Sequence, residues 1–240
     1  MKGMAAALTA LVIGILVPLQ MVSQTWDDHD RSGRYTCRDF GQNYLCSMQE
    51  EGNPIIFTFG DNETFPLWYN QEVEGFRTDT RISNLSYLQT DWYIDQMKRP
   101  AYDSPSLPIS WKRSEYIAGT RETVMVRPEL MKEIEKYYSQ YPEDAAREFG
   151  ENPYELRNIL QHWVLSPEEG LQVIPTDSIV IKVDKEAVKH SGMLLPDTIP
   201  DYMHISLKGR RAVYKNELML LEMLANANWE RPLYMASTMG

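Results

Sequence analysis

Residues 3–22 contain no charged side chain, and Thr9 and Gln20 are their only clearly polar ones. Twenty residues at helical rise cover roughly 30 Å, the thickness of a bilayer's hydrocarbon core. Gly14 and Pro18 are tolerated in a membrane helix, and Pro18 is expected to kink it. Trp26 follows where an interfacial aromatic is favoured. A cleaved signal peptide is the rival reading. The apolar run is long for one, and Met21-Val22-Ser23-Gln24-Thr25 lacks a clean small-x-small site. Both readings export the remainder. The expectation is a transmembrane helix over residues 1–25 and an extracytoplasmic domain over 26–240.

Every acidic residue lies beyond the span, and the net charge is −10. So acidic a surface repels phosphate backbones, and no basic stripe offsets it, so nucleic acid is excluded as a partner. Charged residues at 24% and hydrophobic ones at 43% describe a globular chain. The two cysteines, Cys37 and Cys46, are spaced to permit one disulfide or to stay free thiols. No Cys-x-x-Cys pair occurs and the four histidines are scattered, so no zinc site is expected.

The soluble part reads as α/β. Residues 53–59 open with Asn-Pro and run into Ile55-Ile56-Phe57, a buried strand bounded by turn residues. Thr64 is placed to cap a helix through Pro66 to about residue 74, with Gly75 to end it. Residues 81–85 form a second strand, and Thr90 or Asp91 caps a helix that stops before Pro100. Short β-α-β-α connections favour a parallel pair. Residues 100–122 read as an extended loop. Pro128 starts an amphipathic helix, and residues 153–164 form another that buries Leu156, Ile159, Leu160 and Trp163. Residues 179–183 are a strand. Residues 204–207 and 212–214 flank Lys208-Gly209-Arg210 as a hairpin. Asn216 caps a mostly buried helix over 217–225, and 232–236 is the last strand. The expected fold is a Rossmann-like layered α/β domain with a mainly parallel sheet.

In open α/β sheets, ligands bind beyond the carboxyl ends of the strands. Asp61, Asn62, Glu63 and Thr64 stand there, at a helix start with unpaired N–H groups. Carboxylates and an amide suit sugar hydroxyls or a divalent cation, and Trp68 and Tyr69 offer a flat stacking surface. The plain structural reading is a turn closed by Asp61 and Asn62, a cap at Thr64 and aromatics in the core. Both stand. A second polar cluster, Asp27, Asp28, His29 and Asp30 with Arg31 and Arg34, is better suited to ion pairing or headgroup contact than to a metal cage. Neighbours on an extended chain diverge. No Gly-x-Ser-x-Gly elbow, Walker loop or dinucleotide fingerprint occurs. His162 and His204 have no visible nucleophile partner.

Four stretches together resemble one family: Trp26-Asp27-Asp28-His29-Asp30-Arg31-Ser32-Gly33-Arg34-Tyr35; Gly60-Asp61-Asn62-Glu63-Thr64-Phe65-Pro66-Leu67-Trp68-Tyr69; Asn84-Leu85-Ser86-Tyr87-Leu88-Gln89-Thr90-Asp91-Trp92-Tyr93; and residues 214–234, ending in Arg231-Pro232-Leu233-Tyr234. The resemblance is to bacterial polytopic membrane proteins related to protein O-mannosyltransferases of the membrane-embedded glycosyltransferase type. It implies that the chain is a piece of a longer protein, comprising the last span of a multi-span module and the start of an extracytoplasmic domain, incomplete at its C-terminus. It implies an inner-membrane location with the soluble part in the periplasm. The implied role is accessory: the domain orients an acceptor for sugar transfer from a lipid-phosphate donor. The family's acidic catalytic residues lie early in the membrane module, so none is carried onto this chain, which alone is expected to be inactive. No cofactor and no metal is expected. The implied partners are the upstream module, an acceptor protein or glycan, and membrane lipid. The competing readings are an anchored carbohydrate-binding module and a glycoside hydrolase using Asp61 and Glu63.

Overall fold

A computed structural model describes residues 2–193 and 197–237. In chain order the helices and strands are α1 (Lys2–His29), α2 (Thr36–Cys46), β1 (Ile55–Thr58), α3 (Asp61–Glu72), β2 (Arg81–Asn84), α4 (Asp91–Met97), α5 (Arg113–Tyr116), β3 (Thr123–Val126), α6 (Met131–Gln140), α7 (Pro142–Phe149), α8 (Leu156–Asn158, continuing as a π-helical segment Ile159–Val164), β4 (Val173–Ile174), β5 (Ser178–Lys182), α9 (Lys185–His190), β6 (Tyr202–Ser206), β7 (Ala212–Tyr214), α10 (Lys215–Asn226) and β8 (Leu233–Met235). The chain divides into two compact units, Met1–Asp39 and Phe40–Gly240.

The first unit is dominated by α1, which is long and apolar enough to cross a membrane, with a mean hydropathy of 2.2. A signal sequence meets the same description. The helix runs uninterrupted through Pro18 and takes in Trp26, Asp27, Asp28 and His29. Its hydroxyls turn back onto their own backbone: Thr9 donates to Ala5 O at 2.9 Å, Ser23 to Gln20 O and Thr25 to Met21 O. Such bonds remove the desolvation cost of a hydroxyl in lipid. After the helix, Arg38 lies over the Tyr35 ring at 4.5 Å.

The second unit is a mixed α/β domain whose first sheet is wholly parallel, in the order β2-β1-β8. All four residues of β1 and of β2 are buried, as strands covered on both faces must be. Alternation divides their side chains between two cores. Ile56 and Ile82 pack with Leu67 of α3 and with Leu45 and Met48. Ile55 and Phe57 join Tyr93, Ile94 and Met97 of α4 and Leu218, Met219 and Met223 of α10 in the larger core. Gly41 of α2 lets the backbone approach α3, since a Cβ there would stand 2.4 Å from Pro66 O. A second sheet, β4-β3-β7, is mixed, and β5 with β6 forms an antiparallel pair.

Several local expectations are corrected. The 208–210 turn joins no hairpin. β6 pairs with β5, whereas β7 crosses to β3 with Val213 opposite Val124. Both of those valines are buried in the main core, so the long-range apolar register overrode the local turn signal. Thr64 does not cap α3, which starts at Asp61 behind an extended Gly60. Asp61 and Glu63 in the first turn favour that start through the helix dipole. Asn216 lies inside α10, whose N-cap is Tyr214, with Glu217 closing a capping box. The 100–122 segment contains α5 and buries Leu107, Ile109 and Trp111. Cys37 and Cys46 are free thiols on one helix. Nine helical residues put roughly 13 Å between them, about twice the Cα separation that a disulfide spans.

Candidate functional site at the carboxyl edge of the parallel sheet

Thr58 ends β1 and Asn84 ends β2, and the two meet through Thr64. The Thr64 hydroxyl donates to Gly60 O at 2.7 Å and accepts from Asn84 Nδ2 at 2.8 Å. Its one hydrogen is thereby committed, so Thr58 Oγ1, at 2.8 Å, is the donor in their contact. Asn84 Oδ1 accepts the Tyr87 N–H, and the Asn84 N–H donates to the Tyr93 hydroxyl at 3.0 Å. All of Thr58, Thr64 and Asn84 are buried. This network forms the floor of the edge and fixes the β1–α3 turn. Both threonine hydroxyl hydrogens are spent within it.

The other sequence-predicted residues separate. Asp61 and Asn62 are exposed at the rim. Glu63 is only 2% exposed, and the Tyr44 hydroxyl, which also meets Ser237 Oγ at 2.6 Å, donates to it. Two positions apart on a helix, Asp61 and Glu63 point roughly 200° away from each other. They do not flank a common bond as a glycosidase pair must. Tyr69 turns outward to Glu74, bonding its Oε1 at 3.1 Å. Trp68 is half-buried and packs against both cores.

What surrounds Trp68 is not evident from its own segment. Its ring lies 6.1 Å from that of Tyr87, within 9° of parallel. Phe65 continues the row on one side at 5.8 Å. Trp92 and Tyr93 continue it on the other, 6.1 Å and 5.6 Å from Tyr87. The outer members, Phe65 at 49% and Trp92 at 55%, are open to solvent, as is Phe59 beside the turn. The result is a row of rings anchored in the core at its centre and exposed at its ends, beside the Asp61–Asn62 rim. Such a row can lie against the apolar face of a sugar or an extended peptide, while the rim supplies hydrogen-bond partners. Burial pushes the Tyr93 phenol up to about 12, so at neutral pH it is an uncharged member of the row.

The polar cluster of the first unit is exposed throughout, from Asp27, Asp28 and His29 at the end of α1 to Asp30, Arg31 and Arg34. Asp30 accepts the Ser32 N–H at 2.9 Å. Among the described residues no ion pair joins these carboxylates to Arg31 or Arg34, so the expected ion pairing is not formed. No three His, Cys, Asp or Glu side chains of the described residues converge on a point.

A separate pocket of about 400 Å³ lies among β5, α9 and the end of α10. Its polar groups are largely occupied within the fold. Asp184 accepts the Glu186 and Ala187 N–H groups, Lys185 pairs with Asp201, and Arg157 Nε donates to Ala225 O. The exposed rings and rim side chains lie instead at the carboxyl edge of the parallel sheet.

A family model described as TMEM260-associated domain 2 matches residues 37–240. No curated protein matches the chain, and no solved structure does.

Proposed function

We propose, for a chain that belongs to the TMEM260-associated domain 2 family, that it is the extracytoplasmic accessory domain of a membrane protein O-glycosyltransferase of mannosyltransferase type. In this reading α1 is a retained membrane anchor, and the residues beyond it lie in the periplasm of a bacterial inner membrane. An upstream multi-span module of the same parent protein supplies the transfer chemistry from a lipid-phosphate sugar. The α/β domain receives and orients the acceptor, and the chain alone is inactive. A donor held by its lipid tail reacts near the bilayer surface, so a rigid domain tethered there is suited to presenting an acceptor hydroxyl.

The observation that carries the reading is the aromatic row Phe65–Trp68–Tyr87–Trp92 at the carboxyl edge of the parallel sheet. Aromatic faces bind the C–H surface of a sugar ring and tolerate variation along a peptide, which is what an acceptor-orienting surface requires. Asp61 and Asn62 at its rim are the polar contacts.

The test uses the full chain in lipid nanodiscs, titrated with a serine- and threonine-rich peptide and with its mannosylated form. Tryptophan fluorescence and calorimetry report binding. Saturable binding that Trp92→Ala abolishes and Asp61→Asn weakens is expected. Failure of both ligands to bind, or unchanged binding by the folded Trp92→Ala variant, overturns the assignment. A reporter placed after residue 237 that proves cytoplasmic overturns the topology.

A further inference from the structure

We propose that the amino edge of the β2-β1-β8 sheet holds a small inorganic anion between the guanidinium groups of Arg81, which is buried, and Arg231, which is half-buried. Ile55 of β1 pairs with Arg81 on one side and Leu233 on the other. Arg231 stands two residues before Leu233, just ahead of β8, near enough to Arg81 for the two charges to act on each other. Both also hold the loop that follows α4. Arg81 Nη2 donates to Gln96 O at 3.0 Å and Arg99 O at 2.9 Å. Arg231 donates from Nη1 to Ser106 O at 3.0 Å and from Nη2 to Ser104 Oγ at 3.4 Å, and its Nε donates to Asn53 O.

These acceptors are all neutral. Among the described residues no carboxylate lies within ion-pair distance of either arginine. Arg77 shows the ordinary solution in the same domain: it donates to the carbonyls of Leu45, Met48 and Gln49 and is neutralised by Asp79, bidentate at 2.9 Å. Arg81 is 4% exposed, and its Nε and Nη1 have no partner. Three N–H hydrogens of a buried cation are therefore unsatisfied, a state that folded proteins avoid. Ser83, on the same face two residues on, is fully buried and its Oγ also lacks a partner. A water molecule would accept hydrogen bonds here and leave two positive charges without a counter-ion. An anion answers both demands, because a guanidinium does not give up its proton near neutral pH. Burial, with a smaller contribution from the charge of Arg81, lowers Arg231 to about 10, in keeping with a pair of cations that lacks its counter-ion. The small exposure of Arg81 favours an ion of halide size over a larger one.

The experiment is thermal unfolding of the full chain in detergent, exchanged into gluconate. Chloride, bromide or inorganic phosphate is added at ionic strength held constant with gluconate. A saturable rise of a few degrees with the halides, or with phosphate if the site admits an oxyanion, is expected, and Arg231→Gln removes the saturable part. Unfolding temperatures that follow ionic strength alone overturn the proposal, as does a saturable rise that survives in Arg231→Gln. Should that variant fold poorly, anomalous scattering from bromide-grown crystals of the unaltered chain decides: a peak against Arg81 Nε supports the site, and its absence there overturns it.

Discussion

The Trp68 and Tyr87 rings stack within 9° of parallel at 6.1 Å, joining α3 to the turn before α4. Trp68 touches both hydrophobic cores, whereas Trp92 at the end of the row is largely exposed. The two tryptophans should therefore respond differently. Trp68→Ala is expected to cost about 3 kcal/mol of stability. Trp92→Ala should change it by less than about 0.5 kcal/mol while removing acceptor binding. Urea unfolding of both variants separates the roles, and equal losses of stability would refute the division.

Gly41 has no room for a methyl group. An added Cβ would meet Pro66 O and Asn70 Nδ2 at 2.4 Å, and Pro66 O belongs to rigid backbone. Gly41→Ala is expected to push α2 off α3 and to destabilise the domain by about 1–3 kcal/mol. Denaturant midpoints measure this. A neutral or stabilising effect would mean that the helices do not approach so closely.

Lys215 is fully buried and gives its charge to Glu122 at 2.6 Å. Glu122→Gln leaves the ammonium without a counter-charge and should cost on the order of 3 kcal/mol. This is the low end for buried pairs, because solvent reaches Glu122. The Lys215 bond holds the Glu122 carboxyl below its ordinary 4.5. Its contribution is thus fully present above about pH 4.5 and disappears as the pH falls through the depressed folded value. Stability measured from pH 7 downward should lose this component in the Gln variant.

At alkaline pH the tyrosines dominate. Burial raises Tyr93 from 10 to about 12; burial, then the Glu135 hydrogen bond, does the same for Tyr154. Each phenol keeps its proton longer in the folded state than in the unfolded one. Stability should be unaffected by them below pH 10 and fall between pH 10 and 12. Tyr93→Phe is expected to remove about one proton from the pH slope in that window, read from unfolding curves at successive pH values.

The sequence announces some of this structure well and some not at all. The strands of the parallel sheet are legible because both faces are covered, which turns Ile55-Ile56-Phe57 into an unbroken apolar run. The helices burying Leu156, Ile159, Leu160, Leu218 and Met223 declare themselves by periodicity. The exchange of β7 from β6 to β3 is invisible locally, since Gly209 marks a turn without saying which strands it joins. At the site, Asp61 and Trp68 are marked by their place after a strand. Tyr87 and Trp92 lie in another stretch of the sequence, and only the packing of α3 against the β2–α4 turn makes them neighbours of Trp68. Thr64 stands where a cap is expected, and although the short connection announces the parallel β1–β2 pair, the register that sets Thr58 opposite Asn84 beside Thr64 is not written locally. The arginine pair is hidden in the sequence for a similar reason: Arg81 and Arg231 become neighbours only when β8 docks beside β1.

That docking has a bearing on biogenesis. The central strand, Ile55-Ile56-Phe57-Thr58, meets β2 soon after both are made, but its other flank stays bare until Leu233, Tyr234 and Met235 emerge. At ordinary synthesis rates the wait is on the order of ten seconds or more. Throughout it, an uncharged, β-prone backbone edge is open to strangers. A nascent chain of this kind has reason to be shielded by a chaperone until its last strand arrives.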